Sequence, residues 1–232
     1  RGLGDVYKRQ VSDGMEQEEA LYKVLKETII ASQNIRFEGD GYSDEWKDEA
    51  ARRGLTNICH VPEAIMKFND PQSRSVLIGE KIFNENELNC RIEVELEKFT
   101  KKVQIESRVL GDLAINHIVP TAVIYQNRLL ENLRGLKEIF STEEYEEMTA
   151  DRKDLVREIQ RRILSIKKAV HDMTEARKVA NHLGSQVEKA FSYEEKVRPY
   201  LEEIREHIDS LELEIDDEIW PLPKYRELLF TK

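Results

Sequence analysis

Apolar residues recur three and four positions apart along almost the whole chain, and this rhythm limits what it can fold into more than any other feature. The most regular run is Leu155, Ile159, Ile163, Ile166, Val170, Met173, Ala176, Ala180, Leu183, Val187 and Ala190. A second is Val197, Leu201, Ile204, Ile208, Leu211 and Ile215. A third is Leu88, Ile92, Leu96, Phe99 and Val103, extended by Leu110 and Leu113. Such steps line one face of an α-helix and break the two-residue alternation that a strand requires. Seams of this kind pack neighbouring helices nearly antiparallel, at about 20°, and the small Ala176 and Ala180 let a partner come close. The spacing therefore predicts an all-α fold: an elongated antiparallel bundle of long, coiled-coil-like helices behind a short-helix N-terminal portion.

Local signals place the ends. A first helix is expected from about Met15 to Ser32, followed by a turn on Gly39 and Gly41. Ser43 can cap a short helix with Asp44 and Glu45 at its positive end and Arg52 and Arg53 at its negative end, and Gly54 stops it. Residues 55–60 read as a loop, and Pro62 suits the first turn of another short helix. Asn69 to Ser73 reads as a break, with a further helix from about Arg74. Asn84, with Glu85 and Glu87, caps a long helix that should reach Ile118 and bend or break at Pro120. Ser141 and Thr142 cap the next, and Gly184 is a point where it can be interrupted. Three regions result: 1–10, a leader foreign to the natural protein; 11–83, short helices; and 84–232, the long bundle with a docked apolar tail.

Charge excludes some functions. The formal net charge is −10, which disfavours nucleic acid as a partner, because phosphate binding needs a basic footprint. Residues 151–170 carry seven basic and three acidic side chains, and residues 193–218 three basic and eleven acidic. These two helices are expected side by side and antiparallel, with Arg157, Arg161 and Arg162 facing the acidic partner. No apolar run reaches the ~18–20 residues of a membrane span. Cys59 and Cys90 read as free thiols of a cytoplasmic protein.

The chemistry-bearing motifs are few. There is no phosphate loop, no dinucleotide fingerprint, and no zinc-type spacing. Cys59 and His60 are adjacent and cannot easily share one metal. His117, His171, His182 and His207 are scattered. The carboxylate-rich EGDGYSDE stretch fails the calcium-loop pattern and reads as a glycine turn before a capped helix. Trp220, Pro221, Leu222, Pro223, Tyr225, Leu228, Leu229 and Phe230 form an apolar tail expected to dock, on its own bundle or on another subunit.

Four strings share a further property: residues 37–55 (FEGDGYSDEWKDEAARRGL), 61–65 (VPEAI), 90–126 (CRIEVELEKFTKKVQIESRVLGDLAINHIVPTAVIYQ) and 216–230 (DDEIWPLPKYRELLF). In order and spacing they resemble the C-terminal part of type III glutamine synthetase. The residues that carry the resemblance are Gly39, Asp40, Gly41, Tyr42, Ser43, Trp46, Pro120, Trp220, Pro221, Pro223, Tyr225 and Phe230. The resemblance implies a role in structure or subunit contact for them, in a ligase that joins ammonia to glutamate with ATP and Mg²⁺. It implies partnership with a catalytic domain of the same chain and a ring-forming homo-oligomer. The family's metal-binding glutamates and arginine-bearing strand motif have no counterpart here. No catalytic, cofactor or metal residue is therefore assigned, and this portion alone is expected to be inactive. The alternative is a stand-alone helical adaptor that binds another protein through a groove or the tail.

Overall fold

The computed structural model describes Lys8, Val11 and residues 13–229, the side chains of Tyr225 and Arg226 excepted. The region expected to be a foreign leader lies outside the described residues except for Lys8, and so does Phe230. Every regular element among the described residues is helical, as the spacing predicts.

The chain divides into two compact units between Cys59 and His60. The first holds α1 (Gln17–Ala31), a 3₁₀ turn (Gln33–Ile35) and α2 (Asp44–Arg52). Its buried apolar side chains are small: Ala20, Val24 and Ala50. Ser43 caps α2 as expected, its Oγ accepting from Trp46 N at 3.2 Å. Gly54 ends the helix with φ +73°, and the Leu55 amide reaches back to the Ala50 carbonyl at 2.9 Å. That left-handed residue closes a helix terminus at little steric cost only when it is glycine.

The second unit begins with α3 (Val61–Met66), a 3₁₀ turn (Lys67–Asn69) and α4 (Pro71–Gly79). Pro71 opens α4, so this helix starts three residues before the expected Arg74. Ile65, Met66, Leu77 and Ile78 pack on the core of the second unit. These short helices therefore belong with the long ones, and the division falls ahead of the 83/84 line drawn from the sequence.

Three long rods follow. The first is α5 (Glu85–Leu113), a π-helical turn (Ala114–Ile118) and α6 (Val119–Ile139), together about 80 Å of helix at 1.5 Å per residue. It starts at a capping box: Asn84 Oδ1 accepts from Glu87 N at 2.9 Å and Glu87 Oε2 accepts from Asn84 N at 2.8 Å. The second rod, α7 (Thr142–Asn181), has the same device in Ser141 and Glu144. The third is α8 (Gln186–Ser192), a π-helical turn (Tyr193–Val197) and α9 (Arg198–Glu214).

One expectation about the rods is corrected. The chain does not break at Pro120. Proline lacks the N–H that would reach the fourth carbonyl back, and its ring crowds that carbonyl. The turn before it widens, so that Val119 N–H donates to Ala114 O, five residues back, and helix continues. Pro199 repeats the solution, with Arg198 N–H donating to Tyr193 O. The apolar run to Ala190 is interrupted around Gly184, as its glycine signalled. It stops at Asn181, Ser185 caps α8, and Val187 and Ala190 belong to the third rod.

The core is built from the predicted seams: Leu88, Ile92, Leu96, Phe99 and Val103 on α5, Ile159, Ile163, Ile166 and Met173 on α7, and Ile204, Ile208 and Leu211 on α9. α7 and α9 lie against each other. They run antiparallel, since Leu155 faces Glu214 at one end while Asn181 bonds Tyr193 at the other. The charges do not pair across the seam as expected. Arg157 binds Asp154, and Arg161 and Arg162 bind Glu158, all within α7. Partners one turn away on the same helix are reached with less side-chain ordering than partners across a seam.

Candidate functional site

The signature residues that the structure describes fall in three stretches of the chain. In the first unit, Asp40 organises the turn: its Oδ1 accepts from Tyr42 N at 2.9 Å and its carbonyl accepts from Ser43 Oγ at 2.7 Å. This is an asparagine-type turn feeding a helix cap. The Phe37 ring packs against Trp46 at a 37° tilt, centroids 4.5 Å apart, and the Arg53 guanidinium sits 5.9 Å from each ring. A Cβ on Gly39 would lie 2.6 Å from Phe37 Cζ, so glycine is what lets the backbone pass the ring. No such contact surrounds Gly41. Glu49 accepts from both Arg52 and Arg53, and these bonds lower its carboxyl to about 2. Tyr42 stands out, 97% exposed at the tip of this braced turn.

Pro120 is exposed on the first rod, flanked by buried Ile118, Val119, Thr121 and Ala122. Its neighbour Thr121 donates Oγ1 to His117 O at 2.9 Å, meeting a carbonyl in the widened turn.

The tail closes the third rod. Trp220 is buried, and Leu222 packs on the core beside Ile219. Pro221 and Pro223 turn the chain back, so that Lys224 Nζ donates to Glu212 O at 2.6 Å and Ile215 O at 3.4 Å and pairs with Asp217. A cation on the last carbonyls of a helix meets both their hydrogen-bonding need and the negative end of the dipole. The tail thus docks through Trp220 and Leu222, whereas Leu228 and Leu229 remain exposed. Tyr225 falls in a short α10 (Tyr225–Leu228).

Two clusters escaped the sequence reading. His60 Nδ1 lies 2.8 Å from Glu194 Oε1, which also accepts from Arg198 Nη1 at 2.7 Å. Glu194 is buried in the second π-turn. The other cluster joins α5, α7 and the same turn: the buried Tyr193 donates its hydroxyl to Asn181 Oδ1 at 2.8 Å, Gln104 reaches the same oxygen at 3.4 Å, and Arg177 Nη1 reaches Ser107 Oγ at 3.4 Å. Apart from Glu194 and Arg198, one helical turn apart, these partners stand too far apart in sequence for a spacing rule to pair them.

Both cysteines are free and exposed. Among the described residues, no group of three or more His, Cys, Asp or Glu side chains could hold a metal ion, and no helix is long and apolar enough to cross a membrane. Asp40 and Ser43 are engaged in a turn and a helix cap, and Trp220 is buried at the end of the third rod.

Residues 20–137 match the model of the glutamine synthetase C-terminal domain. The chain is 74% identical over 222 residues to a glutamine synthetase of Bacteroides fragilis (strain YCH46), an alignment covering 96% of this chain and 30% of that protein. It is 27% identical to the type-3 glutamine synthetase of Dictyostelium discoideum, over 92% of this chain and 29% of that protein. A glutamine synthetase of Butyrivibrio fibrisolvens is 28% identical over 94% of this chain and 31% of its own length. The chain spans about a third of the length of these curated relatives. With half of its residues under that model, the chain belongs to the glutamine synthetase C-terminal domain family.

Proposed function

We propose that this chain serves as the helical C-terminal part of a glutamine synthetase subunit, bracing the portion that carries the reaction and supplying subunit contacts. The observation that carries the reading is the 74% identity over nearly the whole chain to a protein named glutamine synthetase, of which it covers 30%. In this reading ATP, glutamate, ammonia and Mg²⁺ are handled by residues outside this chain, and the assembled enzyme is a ring-forming homo-oligomer. Exposed apolar side chains support a bracing role. Leu21, Tyr22, Leu25 and Ile29 lie along α1 of the first unit, and Leu213, Leu228 and Leu229 are exposed in the second. Apolar surface of this kind is commonly covered by a partner. Exposed free thiols fit a reducing, cytoplasmic setting.

The test is a chimera. The matching third of the Bacteroides fragilis protein is replaced by this chain, and ATP-dependent glutamine formation and oligomeric mass are measured. The chimera should recover both, a truncated version lacking that third should lose assembly, and this chain alone should show no turnover. A truncated protein that keeps its mass and activity, or turnover by this chain alone, overturns the reading.

A further inference from the structure

α7 and α9 pack as neighbours, yet their outer faces carry opposite charge that the single chain leaves unmatched. On α7, Arg157, Arg161, Leu164 and Lys168 follow one another at steps of 4, 3 and 4, the spacing that lines one helix face. All four are exposed, Leu164 by 59%. On α9, Glu202, Glu206, Asp209 and Leu213 repeat the same steps, and all are exposed, Leu213 by 88%. One row is basic, the other acidic, and each holds one leucine open to solvent. Arg157, Arg161 and Asp209 pair within their own helices. Lys168, Glu202 and Glu206 make no ion pair among the described residues.

The two rows border each other. Arg157 and Arg161 line one surface depression together with Glu214 of α9. The helices are antiparallel, with Leu155 beside Glu214 at one end and Asn181 bonded to Tyr193 at the other. Counted from the Leu155 end at about 1.5 Å per residue, Arg161 comes level with Asp209 and Lys168 level with Glu202. A two-fold axis along this seam, parallel to the helices, keeps every residue at its own level while it lays the α7 row of one copy over the α9 row of the other. Cation then meets carboxylate in both halves of the contact, and Leu164 and Leu213 are covered. Adjacent rows of opposite charge are self-complementary in this way, as a two-fold contact requires, and complementary charge selects the partner and fixes its register. We propose that the outer faces of α7 and α9 form a two-fold contact with a second copy of this chain, the basic row of each on the acidic row of the other. The inference deepens the subunit-contact part of the proposed function and rests on that reading only in taking a second copy as the partner.

The experiment follows the mass of the full chain against concentration, by sedimentation velocity and light scattering, in about 0.02 M and about 0.5 M salt. Wild type should reach twice its own mass and stop there, with a dissociation constant about tenfold higher or more at the higher salt, where surface charges are screened within a few ångströms. Arg161→Glu/Lys168→Glu and Glu202→Lys/Glu206→Lys should each stay monomeric, because like charges then face each other. Mixed in equal amounts, the two variants should dimerise within about threefold of the wild-type constant, since a reversed row on one copy is complementary to the reversed row on the other. Circular dichroism of each variant alone checks that it keeps its helices. Wild type that stays monomeric, a mass that climbs past two, association that neither variant changes, or folded variants that fail to dimerise on mixing overturns the proposal. Glutamine formation by the chimera is read separately, so the bracing role stands or falls on its own.

Discussion

Ile166→Ala tests whether the α7–α9 seam is held by apolar packing rather than by opposite charge. Ile166 is 0% exposed and belongs to the continuous core with Ile163, Ile204 and Leu211. The substitution removes three carbon groups, about 2.4 kcal/mol at ~0.8 kcal/mol each. A cavity contribution adds to this, taking the whole to about 2–5 kcal/mol. For a cooperative unit of this size, about 3 kcal/mol lowers the melting temperature by roughly 6–12 °C. The conservative Ile166→Val should cost about 0.5–1.5 kcal/mol. The Arg157→Glu/Arg161→Glu double variant provides the contrast. Those side chains are largely exposed and pair within their own helix, where each pair contributes about 0–1 kcal/mol. Thermal melts followed by circular dichroism, with urea titrations for the slope, measure all three. If the double variant melts lower than Ile166→Ala, or Ile166→Ala moves by less than about 2 °C, the packing argument fails.

Asn84→Ala removes the side chain that caps α5 and should cost about 0.5–2 kcal/mol, with hydrogen exchange faster in the first turn of α5 and unchanged in α7. Glu49 has its carboxyl lowered to about 2 by Arg52 and Arg53. A depressed carboxylate contributes stability above its unfolded value and loses it as pH falls through the folded one. NMR protection of α2 should therefore persist at pH 5 and decline between about pH 4.5 and 2, and Glu49→Gln should remove that acid limb. Gly54→Ala forces a side chain into a left-handed position and should destabilise α2 by about 1 kcal/mol or more, read as faster exchange at the Leu55 amide. Native protein should react with a thiol reagent at both Cys59 and Cys90 without denaturant; a single fast thiol contradicts the exposure seen for both.

Much of this architecture was legible because it is local. The rods follow from apolar residues three and four apart. Their starts follow from Asn84 with Glu87, Ser141 with Glu144, and Ser43 with Trp46, each a contact within three residues. The signature strings could be recognised in the same way, but their physical work could not be read from them. Lys224 closes α9 only because Pro221 and Pro223 return the chain to Glu212.

What the sequence by itself determined is which segments become helix, where most of them begin, and which faces turn inward, since helix propensity, capping and periodicity act over a turn or two. Tertiary structure alone decided how Pro120 and Pro199 are accommodated: continuous packing on both sides makes a widened turn cheaper than a break. It also decided that His60 meets Glu194 and that Arg177 meets Ser107. Such contacts join residues tens to more than a hundred positions apart. They are set by how the rods align, a balance of many weak apolar contacts that no single spacing records.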